Sequence, residues 1–431
     1  MDIIEYPSRA DWASLSVRAL AEEAAEVTEA VGKIMEDVAT RGDDALRDYE
    51  RRFTGADVKE LEVTRAELDE ADAAVSEELK EAIAKAAANI SAFHTAQIPR
   101  SVTVETAPGI ICEQRPVPVS RIGLYIPGGN SPLFSTVLML ALPAKIAVCP
   151  EVVLCTPPRP DGSVHPAILY AAHLAGVDRI FKTGGAQAIA AMTFGSASVP
   201  RVDKIFGPGN RYVTEAKQQA ARRGVAIDMP AGPSEVLVIA DGNADPRFVA
   251  ADFLSQAEHG PDSQSMLLTT SPELARKLPG VIDAMLDTLP RRDMMLRSLS
   301  HSRIILMHDD DEMMAFSNTY APEHLIINHA DADTLAAKVI NAGSVFLGEY
   351  SPESAGDYAS GTNHTLPTSG YARAYSGVNT DSFLKRITFQ RLSPEGIKSI
   401  GKTVEVMAEN EDLMAHKLAM TLRIEKLTSN K

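Results

Sequence analysis

The sequence predicts an α/β protein with two Rossmann-like parallel-sheet domains, a helical N-terminal region and a C-terminal helical tail. From residue 121 onward, short apolar runs alternate with segments long enough for a helix. The alternation pauses at DMPAGPS (228–234) and then starts again. Such alternation is typical of βαβ units, which place their strands in a parallel sheet. Two rounds of it predict two α/β halves.

The first hundred residues differ in composition and in the spacing of their apolar residues. Residues 21–38 and 65–93 are rich in Ala and Glu, and their apolar positions recur every three or four residues. That period is typical of amphipathic helices, so we expect helix from residue 1 to about 110. The charges there are interpreted as a solvated face.

Each α/β half has its own predicted strands. The runs expected as strands are 122–126, 152–155, 180–181 and 204–206 in the first half and 236–240, 266–269, 304–307, 325–327 and 345–347 in the second. Helices fit between them, notably at 245–258. The last fifty residues leave this pattern and end in a helix predicted at 397–426, a kind of tail that often packs against a neighbouring subunit.

The composition of the chain indicates which binding partners and which cellular compartment to expect. The 431 residues are 45% apolar and carry a net charge of −16, so we expect neither nucleic acid nor a membrane as a partner. Three cysteines without a CxxC pair favour a reducing compartment, the cytoplasm. The N-terminus lacks a signal-peptide pattern, and the longest apolar stretch, 137–148, is too short to span a bilayer.

Three predicted strands of the first half end in glycine turns, at 127–129, 184–185 and 207–209. In open α/β sheets ligands bind at the carboxyl ends of strands, where glycines let backbone amides approach a phosphate. The chain contains neither GxGxxG nor GxxxxGK[ST]. The turns therefore indicate either a nucleotide site without the common fingerprint or ordinary βα turns.

One pair of adjacent residues, Glu323 and His324, points to proton transfer. A carboxyl and an imidazole at the start of a predicted strand offer two proton-transfer groups to one site. Together with the metal-ligand types described next, they favour an enzyme with a metal and a base.

Four further residues are candidate metal ligands. Gln256 and His259 lie three residues apart on a predicted helix and so share a face, and Asp357 follows in a loop of small residues. With His416 on the tail helix they would suit zinc with one position open for substrate. Each has a plain alternative: a cap or core histidine, a turn-forming aspartate, or a surface histidine.

These segments together closely resemble the histidinol dehydrogenase family. The matching stretches are IGLYIPGG (122–129), GGAQAIAA (184–191), VDKIFGPGN (202–210), AIDMPAGPSEVLVIAD (226–241), DFLSQAEHGPDSQ (252–264), APEHLI (321–326), GSVFLGEYSPESAGDYASGTNHTLP (343–367) and MAHKLAMTLR (414–423). They run from about residue 120 to the end of the chain.

The resemblance implies roles for particular residues of this chain. Zinc ligands are implied at Gln256, His259, Asp357 and His416, a catalytic pair at Glu323 and His324, substrate contacts at these ligands, His324, Ser234, His364 and Glu411, and NAD contacts at Tyr125, Gln187 and Asn210. It also implies a homodimer whose tail reaches across the interface. The expected domains are an N-terminal helical arm (1–25), a discontinuous α/β domain (26–120 with 236–380), a second α/β domain on the NAD side (121–235) and the tail (381–431).

The implied reaction is oxidation of L-histidinol to L-histidine through the aldehyde, with two NAD and a water. On this hypothesis His324 takes the hydroxyl proton, because an imidazole titrates near neutral pH. Glu323 activates the water that attacks the aldehyde. Zinc holds the substrate through its imidazole and amino nitrogens, while Glu411 and His364 contact its polar groups.

Two other functions remain open from the residues alone. An aldehyde dehydrogenase would use a cysteine nucleophile, for which the chain offers Cys112, Cys149 and Cys155, although these lie in or beside apolar runs without a neighbouring His. A zinc-stabilised binding protein would use the same ligands without turnover. A structural zinc site normally closes its fourth position with Cys or His, which makes Gln and Asp ligands more typical of an open site.

Overall fold

The computed structural model describes residues 2–18, 24–128, 131–230 and 232–429. Gly129 of the first predicted glycine turn, Ala231 of the predicted seam and residues 19–23 of the predicted arm lie outside these ranges. The chain divides into two compact units, a larger one (Met1–Gln97 with Ser120–Ser382) and a smaller one (Ile98–Val119 with Phe383–Lys431).

Strands and helices are numbered along the chain. The strands are β1 (Asp2–Glu5), β2 (Val102–Ala107), β3 (Ile110–Pro118), β4 (Arg121–Tyr125), β5 (Glu151–Thr156), β6 (Arg179–Lys182), β7 (Lys204–Phe206), β8 (Ala226–Ile227), β9 (Glu235–Ala240), β10 (Gln264–Thr269), β11 (Arg303–Leu306), β12 (His324–Asn328), β13 (Ser344–Leu347) and β14 (Leu384–Leu392). The helices are α1 (Trp12–Leu15), α2 (Ala24–Arg41), α3 (Asp43–Phe53), α4 (Arg65–Ala74), α5 (Glu77–Thr95), α6 (Phe134–Ile146), α7 (Pro166–Leu174), α8 (Gly185–Phe194), α9 (Arg211–Arg222), α10 (Pro246–Ala257), α11 (Pro272–Leu286), α12 (Arg292–Leu299), α13 (Asp310–Tyr320), α14 (Ala332–Ala336), α15 (Glu353–Tyr358), α16 (Pro394–Asn410) and α17 (Met414–Ser429).

The larger unit contains two parallel sheets, which confirms the predicted α/β class. One has five strands in the order β6-β5-β4-β7-β8, and the other has six in the order β1-β11-β10-β9-β12-β13. The central strands β9 and β12 are buried at every position, as expected when helices cover both faces of a parallel sheet. The nine strand runs predicted between residues 122 and 347 all coincide with strands of these sheets.

Successive side chains of the six-stranded sheet belong to separate apolar clusters on its two faces. Val236 and Val238 belong to the cluster with Phe253, whereas Leu237 and Ile239 belong to the cluster with Phe316. On the five-stranded sheet, α2 and α3 join α8 and α9 in a third cluster. The domain limits expected from the sequence stay a prediction.

The N-terminal region departs from the predicted all-helical structure. β1 pairs with β11 in the six-stranded sheet, and β2 and β3 form an antiparallel pair within residues 102–118. Helix prediction to residue 110 was wrong at these positions, because the pairing of β1 with β11, some 300 residues away along the chain, leaves no local periodic signal.

The smaller unit is an antiparallel sheet, β14-β3-β2, and two packed helices, α16 and α17. The single tail helix predicted at 397–426 is therefore wrong. The chain turns between Asn410 and Met414, where Asp412 adopts a left-handed φ of 58° that Asp tolerates better than most residues. Within the described ranges, no helix is both long enough and apolar enough to cross a bilayer.

Candidate active site

Glu323 and His324 lie at the amino end of the six-stranded sheet, at the start of β12. Helix α13 ends at Tyr320, Ala321 follows with a left-handed φ of 55°, and the chain then enters the strand. The carbonyl of Glu323 accepts the Ser344 N–H at 2.9 Å. A Cβ on Gly343 would lie 2.6 Å from that carbonyl oxygen, so this close approach requires glycine. Backbone packing from β13 thus sets the position of the pair.

The carboxyl group of Glu323 is buried and hydrogen-bonded. The residue is 5% exposed, and its Oε2 accepts the backbone N–H of Glu235 at 2.9 Å. Burial raises the pKa of Glu323 to about 8, against the opposing effect of the neighbouring His324. A carboxyl with such a pKa can take a proton near neutral pH.

The imidazole of His324 lies among carboxyl groups. Its Nδ1 is 3.3 Å from the carbonyl oxygen of Glu235 and 3.5 Å from Oε1 of Glu353. Its Nε2 is 3.6 Å from Oδ1 of Asp357, beyond hydrogen-bond length, and has no partner among the described atoms. Burial alone would lower the pKa of His324, but Glu353, Glu323 and Asp357 outweigh it and raise the pKa to about 10. The surrounding carboxylates therefore favour the protonated imidazolium form of His324.

The candidate metal ligands of the larger unit come from α10, the turn after it, and α15. Gln256 is on α10, but the helix ends at Ala257, so His259 lies beyond it rather than on the predicted helix face. The peptide N–H of His259 still donates to the Gln256 carbonyl at 3.3 Å. Asp357 lies on α15, where a loop was expected.

These elements bring three ligand-type side chains together. One ligand atom from each of His259, Glu353 and Asp357 lies within 4.8 Å of the others. With its amide nitrogen toward Glu353, Gln256 donates to that carboxylate at 2.7 Å. Glu353 is 1% exposed, and burial raises its pKa to about 8. Buried carboxylates beside an imidazole fit a divalent cation such as zinc, because the cation would offset their charge.

Two further predicted substrate contacts, His364 and Ser234, also lie in the larger unit. The ring of His364 is half-buried between the Asp357 carbonyl, 2.9 Å from Nδ1, and the Thr136 hydroxyl, 3.1 Å from Nε2. Ser234 precedes β9 and borders a small cavity together with Arg18.

The two candidates in the tail belong to the smaller unit. Glu411 follows the last residue of α16, and His416 is on α17, with both side chains exposed. Their roles as substrate contact and zinc ligand stay predictions.

The predicted cofactor contacts lie at the carboxyl ends of β4, β6 and β7. Tyr125 ends β4, and its hydroxyl accepts the Gly185 N–H at 3.1 Å. Gln187 is on α8, and Asn210 caps α9 by accepting the Tyr212 N–H at 3.0 Å. A Cβ on Gly207 would overlap the Tyr125 carbonyl oxygen, and Tyr125 also contacts Gly185, so the three turns lie close together. Tyr125 and Gln187 are buried in this arrangement, whereas Asn210 is exposed.

Sequence reasoning missed three buried acids near these sites. Glu353 contacts His324, Glu235 pairs with Arg18 and accepts the Tyr320 hydroxyl at 2.7 Å, and Glu50 contacts the turn before α8. Glu353 precedes Asp357 by four residues, a helix spacing that could have revealed it. Glu50 has no comparable signal in the sequence.

The cysteines are poorly placed as nucleophiles. Cys149 and Cys155 are 3% and 0% exposed, and burial raises the pKa of the Cys155 thiol far above its ordinary value. Cys112 lies on β3 in the smaller unit. A thiolate attack on an aldehyde requires an accessible thiol with a lowered pKa, which Cys155 lacks.

Comparison with known proteins extends the likeness over the whole chain. A family model described as histidinol dehydrogenase matches residues 18–424. The chain is 55% identical to the histidinol dehydrogenase of Bacteroides fragilis over 427 residues, covering 99% of this chain and 100% of that protein. It is 55% identical to that of Salmonella typhimurium over 403 residues, covering 93% and 92%. A crystal structure of histidinol dehydrogenase from Elizabethkingia anophelis superposes with a TM-score of 0.96 at 50% identity, covering 99% of each chain.

Proposed function

The chain belongs to the histidinol dehydrogenase family, oxidoreductases acting on an alcohol or aldehyde, and we propose that it oxidises L-histidinol to L-histidine through L-histidinaldehyde. The proposed reaction removes four electrons in two steps, uses two NAD and one water, and completes histidine biosynthesis. The observation that carries the proposal is the buried pair of Glu323 and His324 beside the ligand-type group of His259, Glu353 and Asp357.

Two bound groups would supply what amino-acid side chains cannot. Zinc would bind the imidazole and amino nitrogens of the substrate, and its proposed ligands are Gln256, His259, Asp357 and His416. NAD would accept a hydride in each oxidation, and its proposed contacts are Tyr125, Gln187 and Asn210. The side chains must then move protons and exclude water.

His324 is the proposed base for both oxidations. It is 4% exposed, and the carboxylates that raise its pKa also stabilise the imidazolium formed when it takes the hydroxyl proton. Because Nε2 has no partner among the described atoms, it is the nitrogen available to a substrate hydroxyl. Once this proton has passed to solvent and the aldehyde is hydrated, the same nitrogen would take the gem-diol proton.

Glu323 is the proposed base for hydration of the aldehyde. Its Oε2 is held by the Glu235 N–H at 2.9 Å. A carboxyl fixed in this way can take a proton from water as the water attacks the aldehyde carbon. Ser234, His364 and Glu411 would contact the polar groups of the substrate.

The decisive experiment is NADH formation from purified protein and L-histidinol, before chelation, after chelation and after zinc return. Two NADH per histidinol, lost on chelation and restored by zinc, are expected. A folded, zinc-loaded protein without turnover would instead favour the binding-protein alternative. Activity lost in Cys→Ala variants would favour a cysteine-dependent aldehyde dehydrogenase.

We also propose that the protein is a cytoplasmic homodimer. Helix α17 contains no buried residue, and Leu418 and Leu422 on it are 54% and 55% exposed. The sheet of the smaller unit likewise exposes Ile387 and Phe389, which lie two residues apart on β14 and so share one face. Apolar side chains grouped in this way are typical of surfaces that another chain covers, and a second copy is the partner that the family resemblance implies.

A further inference from the structure

The turn between β6 and α8 is held by one oxygen atom of a distant side chain. Oε1 of Glu50 accepts the Gly184 N–H at 2.9 Å, the Thr183 hydroxyl at 2.9 Å and the Gln187 amide N–H at 2.8 Å. All three donors belong to the turn or to the first residues of the helix that follows it. The carboxylate therefore fixes both the backbone and one side chain of a predicted cofactor turn.

Glu50 is an unusual residue to bury. It comes from α3, is 0% exposed, and has no basic partner among the described residues. Burial raises its pKa, while the hydrogen bonds from Gly184, Gln187 and Thr183 favour the ionised form. Burying a carboxylate without a cation is costly, so its position depends on the donors of this turn.

The position of Glu50 is one that phosphate groups take in other α/β proteins. The N-terminus of a helix after a parallel strand attracts anions through its free N–H groups and its dipole. Here Glu50 uses the Gly184 N–H, and the Tyr125 hydroxyl accepts the Gly185 N–H at 3.1 Å. A phosphate at the same place would face a carboxylate and find these donors already bonded.

The contact also determines which atom of Gln187 remains free. Its amide nitrogen donates to Glu50, and its Oε1 has no partner although the residue is 2% exposed. An unpaired buried acceptor costs stability unless a ligand supplies a donor. Ribose hydroxyls, the adenine amino group and the nicotinamide carboxamide are the uncharged donors that NAD offers.

We propose that Glu50 is a positioning residue of the cofactor site. It stands where a phosphate would otherwise bind and orients Gln187 so that this turn receives an uncharged hydrogen-bond donor of NAD, with the pyrophosphate elsewhere. The inference rests on the NAD dependence proposed above.

The test compares Glu50→Ala with Glu50→Gln, which keeps an acceptor oxygen but not the charge. Glu62→Gln is the control, because Glu62 pairs with Arg179 at the start of the same strand and does not contact the turn. Steady-state kinetics give KM for NAD and for histidinol, calorimetry gives NAD affinity, and inorganic pyrophosphate serves as the anionic probe. Thermal unfolding and zinc content show that each variant is folded and loaded.

We expect Glu50→Ala to raise the KM for NAD on the order of tenfold, the worth of one or two hydrogen bonds, without changing the KM for histidinol. The KM for NAD of Glu50→Gln should stay within about threefold of wild type, with unchanged pyrophosphate inhibition, because the amide oxygen can still accept the bond that orients Gln187. An unchanged NAD affinity in folded Glu50→Ala would overturn the positioning role. Tighter NAD or pyrophosphate binding in Glu50→Gln would show that an anion binds at this helix end.

If Glu50→Ala does not fold, Gln187→Leu removes the same acceptor and should give the same loss of NAD affinity. Unaltered NAD binding in that variant would also refute the inference. A wild-type protein that binds NAD but does not oxidise histidinol would refute the proposed function alone, since the calorimetric comparison still tests Glu50.

Discussion

Replacement of Glu323 with Gln should separate the two oxidations. Oε2 of Glu323 accepts the Glu235 N–H at 2.9 Å, and a Gln side chain of the same shape keeps an acceptor for it. The amide cannot take a proton from water. We expect alcohol oxidation to stay within about threefold of wild type and aldehyde oxidation to fall by about 10²–10⁴, the usual contribution of a positioned general base.

The same residue predicts the pH dependence of the second oxidation. Burial raises the pKa of Glu323 from 4.5 to about 8, with His324 opposing and the charges of Glu235 and Asp357 adding to the rise. That change corresponds to roughly 5 kcal/mol between the two protonation states. A general base acts as the carboxylate, so the contribution of Glu323 to aldehyde oxidation should rise with pH up to about 8 and then level off, apart from the rise at higher pH that His324 gives as it loses its proton. The Gln variant should lack this rise.

Stability provides an independent check on the variant. Because the folded-state pKa is raised, the folded protein keeps a proton that the unfolded chain releases between pH 4.5 and about 8. Ionised Glu323 therefore destabilises the fold above pH 8, and the uncharged Gln variant should be at least as stable there.

The assay is rapid-mixing measurement of NADH formed from L-histidinol and, separately, from supplied L-histidinaldehyde. Glu349→Gln, a change at an exposed residue after β13, is the matched control and should leave both reactions unchanged. Equal loss of both oxidations in folded Glu323→Gln would refute the division of roles between Glu323 and His324.

Three further predictions concern the metal, the stability and the assembly. Glu353→Gln should weaken zinc binding by about 10–100-fold in competition with a chelator, because the carboxylate contacts the Gln256 amide and lies in the ligand-type group; unchanged affinity would exclude that role. Burial raises the pKa of Asp252 to about 7, so its contribution lowers stability as the pH rises from about 4 to 7. At pH 8 the free energy of unfolding of Asp252→Asn, measured in urea, should then exceed that of wild type by up to about 4 kcal/mol. An equal free energy of unfolding would contradict the conclusion that the Asp252 carboxylate is buried at a cost. Changing Leu418 and Leu422 on α17 together to Glu should yield monomers in sedimentation analysis, whereas Ile340→Glu, at a 79% exposed position of the larger unit, should not; a variant that stays dimeric would place the interface elsewhere.

Prediction from the sequence succeeded where the signal is local. Buried parallel strands are continuous apolar runs ended by turn residues, so β9 and β12 are visible without knowing their neighbours. β1 is four residues long with mostly exposed side chains, and only its pairing with β11 makes it a strand. The break between α16 and α17 likewise depends on one left-handed backbone conformation, at Asp412. The residue types around it do not predict that conformation.

The candidate site shows the same division between local signal and tertiary contact. The types and spacing of residues around Glu323, His324, His259 and Asp357 were sufficient to select them as candidates, because proton transfer and metal binding require particular side chains. Their distances, and the values to which their pKa shift, depend on strands and helices far apart in the chain.

What the sequence by itself determined is the α/β class, the order of the strands along the chain and the candidate chemical groups, each of which depends on residue type and period. Only the tertiary structure decided which acids are buried. Glu50 and its helix neighbour Asp48 are both acidic residues of α3, yet Glu50 is fully buried against the turn before α8 and Asp48 is exposed. Burial and hydrogen bonding arise from contacts with residues more than a hundred positions away, and no local pattern records them.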